Sequence, residues 1–530
     1  MIFKVNIFLY LIFLAAYFLL LVFNGKRLFL LLKKFPIWLF LVNGALLVYK
    51  IFFVPHLYSS RGDFGNWILG SVGTRDLLQN SGIALRPVYY FFVKIFDILF
   101  NAANFNATVN LDIFLTFINI FAVFFIVKTL FKNEKIAAAA TLLYAFSPIL
   151  LVISLTEEFT NLAVFFSIQA LFFALFYVSE RRQSLFYLAA LASFLAIGSR
   201  PEYIIFSFIF LLFSYLFVKN HCSNYFKMLA AYFVFVLPLF FSATRHFIDT
   251  LKIDDALHLT LPRPDHLFTD TLAGHWNFFV DNLSVNFYAL VNLKTLMGVF
   301  VLLALAFVFF YGRKQYKKEI LFFSFYFLFV LLYYTFLHSG GIYSSCLYIS
   351  SLIFPLTVLA GGGLAQVKPR PVFIFLLAVF ICFSLFSTYP TSTFAQKEYP
   401  KHFSFISTFK EYSLFKKNEK LDLQKNHLFI VNGSRSYLFS ELPISERSLI
   451  FSVASEKEMK SAIDRAAPGA AIYVYQGFWV GIRTPGGEKT IDPVEFETMT
   501  NNFLKKTTEL FSFTREDGAP GKVFFYQMTK

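Results

Sequence analysis

Charge is what this sequence has least of. Asp, Glu, Lys and Arg make up 15% of its 530 residues, where an ordinary soluble domain carries about 25%. Hydrophobic residues reach 57%, and Phe alone fills 77 positions. Such a chain cannot hide its apolar surface inside one globule, so a soluble enzyme is excluded and lipid is the solvent. Cysteine is nearly absent: Cys222, Cys346 and Cys382 fall in or beside apolar runs. They have no metal-ligand spacing and imply no disulfide framework. The formal net charge is +15, yet the basic residues punctuate the apolar runs instead of forming one patch. That distribution excludes a nucleic-acid partner.

Crossing the hydrocarbon core takes about 20 apolar residues. Spans are expected near 5–23, 35–54, 108–131, 136–154, 159–178, 184–199, 203–218, 228–241, 291–311, 319–337, 342–365 and 371–388. The first run lacks a small-residue cleavage site and leads at once into the second, so it reads as a retained helix. Lys26, Arg27, Lys33 and Lys34 fill the first connection, and Lys128, Lys132 and Lys135 the third. Arg181 and Arg182, then Lys219 and Lys227, then Arg313, Lys314, Lys317 and Lys318, then Lys368 and Arg370 follow at alternate connections. Basic connections stay in the cytoplasm. Parity then puts 55–107, the Glu157 turn, the Arg200 turn, 242–290, the His338 turn and everything after about 389 outside it. A multi-pass protein of a bacterial plasma membrane is expected, since no eukaryotic targeting signal is present.

The tail from 389 to 530 changes character. Strand-like runs at 427–432, 448–453, 471–475 and 522–527 alternate with helix-like stretches at 456–466 and 493–506, the first opened by Ser455 as an N-cap. Pro485-Gly486-Gly487 is a turn signal. The expectation is a soluble extra-cytoplasmic α/β domain at 389–530 behind a helical membrane domain at 1–388. No glycine-rich phosphate motif follows a strand in the tail, so no chemistry is assigned to it.

Polar residues collect on the outer side. Arg61-Gly62-Asp63-Phe64-Gly65 follows the second span. Glycines beside Asp63 let a ligand approach the backbone, which suits a general base or metal ligand; a turn aspartate is the plainer alternative. Arg86-Pro87-Val88-Tyr89-Tyr90 opens a short apolar piece carrying Lys94 and Asp97, read as a helix along the membrane interface. Glu157 and Glu158 sit between two apolar spans, an expensive place for charge. They either favour a helix dipole or take part in function. Gly198-Ser199-Arg200-Pro201-Glu202-Tyr203 is a turn or kink, because proline cannot continue a helix. Arg200 could hold a phosphate with two parallel hydrogen bonds. Alternatively it pairs with Glu202 or Glu157. Segment 242–290 holds many Asp and His side chains, among them His258, Asp265 and His266, but at no ligand spacing. A solvated loop is the favoured reading there, and the residues require no divalent metal. A lone His338 precedes Gly340-Gly341 and by itself is more often structural.

This ordered set resembles the GT-C superfamily of membrane glycosyltransferases, of the protein mannosyltransferase and aminoarabinose transferase type. The likeness runs from about residue 55 to 388. It rests on Asp63, on the Arg86-Pro87-Val88-Tyr89-Tyr90 opening, on Ser147-Pro148 ahead of Glu157-Glu158, and on Gly198 to Glu202. His338, Pro355 and Ala360-Gly361-Gly362-Gly363-Leu364 complete it. Two features differ: Phe64 stands where such relatives tend to keep a second acid, and no Arg follows His338 as far as Cys346. The resemblance implies a hexosyl- or pentosyltransferase of the cell envelope, inverting, with a polyprenyl-phosphate-linked sugar as donor. A lipid, glycan or protein would be the acceptor. It implies Asp63 as base, Glu157 or Glu158 as a second acid or base, and Arg200 with His338 as donor phosphate ligands. Arg61, Arg86 and Glu202 would give support. The competing classes are a lipid-linked polysaccharide polymerase or ligase, and a transporter or flippase. A transporter more often shows internal repeats and midplane charges, and no repeat is found.

Overall fold

The computed structural model describes residues 2–52, 58–59, 88–89, 91–92, 95, 104–153, 159–200, 203–221, 225–236, 280, 283, 291, 296–311, 315–337 and 346–388. In the tail it describes 403–404, 427–431, 450–452, 456–464, 471–476, 482–484, 487–489, 498, 501–502, 508–514 and 520–527. The chain divides into two compact units. The first comprises Met1–Pro55, Ala84–Tyr89 and Asn110–Tyr399. The second comprises His56–Ile83, Tyr90–Val109 and Pro400–Lys530.

Helices make up the first unit: α1 (Ile2–Leu32), α2 (Ile37–Phe52), α3 (Asn104–Phe131), α4 (Glu134–Ala145), α5 (Pro148–Ile153), α6 (Phe159–Glu180) and α7 (Gln183–Ser199). Then come α8 (Ile204–Phe213), α9 (Tyr225–Val236), α10 (Met297–Tyr311), α11 (Lys317–Leu337), α12 (Cys346–Leu364) and α13 (Arg370–Thr388). By length and composition, five stretches among the described residues can cross a membrane: Phe8–Leu32, Asn110–Phe131, Thr160–Glu180, Ile204–His221 and Lys317–Thr335.

α1 shows how an almost wholly apolar helix is still oriented. Tyr10, Phe13, Leu14 and Tyr17 are buried at helical spacing, whereas Leu19, Val22 and Phe23 are 70–80% exposed. In water this would be a fault; in lipid it is the contact face. The buried stripe meets α6 and α7 through rings, Tyr17 against Phe166 at 5.6 Å and Phe13 against Phe194 at 5.2 Å between centroids. Three buried hydroxyls find partners inside their own helices, which suits a medium without water. Thr116 donates to the Asp112 carbonyl (2.9 Å), Ser167 to that of Ala163 (2.8 Å) and Ser199 to that of Leu195 (2.8 Å).

The expected span at 136–154 is a broken helix. α4 stops at Ala145, Phe146 caps it, and α5 begins at Pro148, which lacks the N–H that would continue the ladder. α4 starts on Asn133, whose side chain accepts from the N–H groups of Lys135 (2.9 Å) and Ile136 (3.2 Å). α8 loosens into a π-turn over Ser214–Val218. α12 packs tightest. A Cβ added to Gly361 would lie 2.5 Å from the Ala140 backbone of α4, so only glycine permits that approach.

The second unit contains a five-stranded sheet of order β4-β3-β5-β9-β8. β3 (His427–Val431) pairs in parallel with β4 (Ile450–Ser452) and β5 (Ala471–Gln476); β9 (Pro520–Gln527) runs antiparallel to β5 and to β8 (Thr508–Thr514). A parallel pair needs a crossover, and helix α14 (Glu456–Asp464) lies in the chain between β4 and β5. β6 (Ile482–Thr484) and β7 (Gly487–Lys489) form an antiparallel pair. A further pair joins β1 (Tyr58–Ser59) to β2 (Phe403–Ser404), with Tyr58 opposite Ser404.

Candidate functional site

Arg200 is the one proposed site residue among those described, and it is 3% exposed. It caps α7 with extended backbone angles (φ −153°, ψ 113°), and its N–H donates to the Ala196 carbonyl at 3.0 Å. Its own carbonyl accepts from Tyr203 N–H at 2.9 Å. The guanidinium Nη1 donates to Thr160 Oγ1. Thr160 stands in the first turn of α6 and is fully buried, two residues beyond Glu158. The Thr156–Asn161 and Gly198–Tyr203 strings of the sequence are therefore in contact through Thr160 and Arg200.

A third motif joins them. A Cβ on Gly198 would collide with the Tyr10 ring and come within 2.7 Å of Val88 Cγ2. Glycine at 198 lets the last turn of α7 press against α1 and against the Val88-Tyr89 pair, both of which are 1% exposed. Residues 88–89, 160 and 198–200 thus share one neighbourhood within the first unit. A buried guanidinium at the start of a 22-residue helix combines a fixed charge with the positive end of the helix dipole. Both favour an anion, and guanidinium geometry favours a phosphate or carboxylate.

Asp63, Arg61, Arg86, Glu157, Glu158, Glu202 and His338 lie outside the described residues, as does most of segment 242–290. Among the described residues no group of three His, Cys, Asp or Glu side chains could hold a metal ion. Thr160 lies two residues beyond Glu158, but nothing in the sequence marks it as a partner of Arg200.

Two charged residues are buried away from this neighbourhood. Lys50 on α2 is 2% exposed and Asp112 on α3 is fully buried, and the Asp112 charge acts on Lys50. Asn43 Nδ2 donates to the Phe117 carbonyl at 2.8 Å and ties the same two helices together further along. Each was visible as a lone charge in an apolar run.

The model of the dolichyl-phosphate-mannose-protein mannosyltransferase family matches residues 85–244. The match takes in the three motifs that meet around Arg200 and stops short of Asp63 and His338. No curated protein sequence matches the chain. Among solved structures, ArnT from Cupriavidus metallidurans bound to undecaprenyl phosphate superposes with a TM-score of 0.55 at 13% identity, covering 92% of this chain and 97% of that one. The chain shares the GT-C fold. The apo state of the same ArnT gives a TM-score of 0.55 at 12% identity over the same shares. The GT-C likeness therefore extends over both units, while the family match is confined to the region around Arg200.

Proposed function

We propose that this GT-C-fold protein is a membrane glycosyltransferase that moves a sugar from a polyprenyl-phosphate donor to an acceptor hydroxyl outside the cytoplasm, with inversion. The meeting of three outer motifs at buried Arg200, inside the family-matched region, carries the reading. The undecaprenyl phosphate bound by ArnT supports a lipid phosphate as the anion. The acceptor oxygen attacks C1 of the sugar, the C1–O bond to phosphate breaks, and the phosphate leaves with the bonding pair. Asp63 takes the acceptor proton. Arg200 faces the charge that grows on the departing phosphate, with His338 assisting. Glu157 and Glu158 orient the acceptor or exchange a second proton, and Arg61, Arg86 and Glu202 support the pocket.

Twelve crossings frame this chemistry. A described helix falls at each of the twelve apolar runs, and the alternation of basic connections supports the orientation. Residues 1–388 form the catalytic membrane part of a bacterial plasma-membrane protein, and 389–530 an α/β domain outside the cytoplasm.

Asp63→Asn tests the assignment, because it keeps size and hydrogen bonding but removes proton acceptance. Single-turnover transfer from a radiolabelled polyprenyl-phosphate sugar should fall by about two to four orders of magnitude, with donor binding nearly unchanged. Transfer near the parent rate by a folded Asp63→Asn protein would remove Asp63 from the base role.

A further inference from the structure

The opposite ends of the helices hold a cluster of cations that the proposed chemistry does not use. The Lys135 ammonium, at the start of α4, donates to the Val367 carbonyl at 2.9 Å and lies 4.5 Å from the centroid of the Phe373 ring. These contacts fix it beside the turn between α12 and α13, which carries exposed Lys368 and Arg370. Burial lowers the Lys135 pKa, and repulsion from Lys368 and Arg370 lowers it further.

Nearby acids are engaged elsewhere. Glu134 pairs with Lys128 at 2.6 Å, and Glu319 lies in the fields of Lys318 and Lys132. Among the described residues no carboxylate pairs with Lys135, Lys368 or Arg370. Holding three like charges together is unfavourable unless an anion joins them. Immediately past Arg370, α13 turns Val372, Ile374 and Phe375 outward, with exposures of 42%, 53% and 65%. A cationic ledge above an exposed apolar ladder matches a headgroup with acyl chains better than it matches a free anion.

We propose that Lys135, Lys368 and Arg370 bind the phosphate of an anionic phospholipid, whose acyl chains run along Val372 and Phe375. The orientation reading makes this a lipid of the cytoplasmic leaflet. Binding measured in detergent does not depend on orientation, so the two readings fail separately.

Titration of the purified full chain with phosphatidylglycerol, followed by native mass spectrometry, tests the site. Each basic side chain at an anionic surface contributes roughly fivefold in affinity, so Lys368→Gln with Arg370→Gln should weaken retention about 25-fold, and adding Lys135→Gln about a hundredfold. Phosphatidylcholine should bind parent and variants alike, and weakly. Both substituted residues of the double variant are exposed, and its unchanged thermal unfolding would show that the fold is intact. Lys219→Gln, at another basic connection, should leave retention unchanged. Equal phosphatidylglycerol retention by parent and double variant would overturn the proposal. So would an equal loss in Lys219→Gln, which would mark general surface electrostatics, or displacement of the lipid by equimolar inorganic phosphate, which would mark a soluble anion site.

Discussion

Replacing Arg200 by lysine separates its charge from its geometry. The side chain is buried, it donates to Thr160 Oγ1, and Thr160 opens α6. If the guanidinium receives the donor phosphate, lysine keeps the positive charge and loses one of two parallel hydrogen bonds. A hydrogen bond to a charged group contributes about 1.5–3 kcal/mol, so donor affinity should drop about ten- to hundredfold. Thr160→Val removes the acceptor that holds the guanidinium in place while leaving it present. It should cost less, about 1 kcal/mol or roughly fivefold, because a positioned group is only loosened. The double variant should bind about as weakly as Arg200→Lys alone, since the threonine then has no fork to position. The assay is equilibrium binding of an undecaprenyl-phosphate sugar to each detergent-purified variant, with thermal unfolding measured alongside. Stability loss with donor affinity within twofold of the parent would refute the phosphate reading. Arg200 would then be a structural cap joining α7 to α6.

The Asp112 charge acts on Lys50, so Lys50→Met with Asp112→Leu should cost less than the two single variants together, by about 0.5–3 kcal/mol; additive losses in denaturant unfolding would disprove the coupling. The orientation makes a separate prediction: a cysteine at Ser434 should react with an impermeant thiol reagent on spheroplasts, and one at Gln315 only after the membrane is opened. The reverse pattern would put every candidate site residue on the cytoplasmic side.

What could be read in the sequence was whatever a one-dimensional pattern controls. A helix in lipid must satisfy its backbone internally and cover itself with apolar side chains, so runs such as 159–178 announced themselves, and α6 occupies Phe159–Glu180. Local interruptions were harder. Pro148 was in plain view, yet the apolar run continued through it and hid the break between α4 and α5. The π-turn at Ser214–Val218 left no compositional mark at all. In the tail, 427–432 and 471–475 are short runs rich in aliphatic and aromatic residues, which mark strands, and β3 and β5 lie there. β8 at Thr508–Thr514 escaped notice, because its polar threonines, glutamate and serine dilute the signal. The site was the least legible part, for a reason that is geometric. Arg200 stood out by its chemistry, whereas Thr160, which accepts from its guanidinium, carried no mark of that role. Gly198 looked like part of a turn, whereas its use is to admit Tyr10 and Val88 against the end of α7. Lys50 and Asp112 each stand alone in an apolar run, and the neighbouring placement of α2 and α3 is what brings the Asp112 charge to bear on Lys50. Sequence shows which residues are expensive to keep in a membrane; packing decides which of those costs are shared, and shared costs are what mark a site.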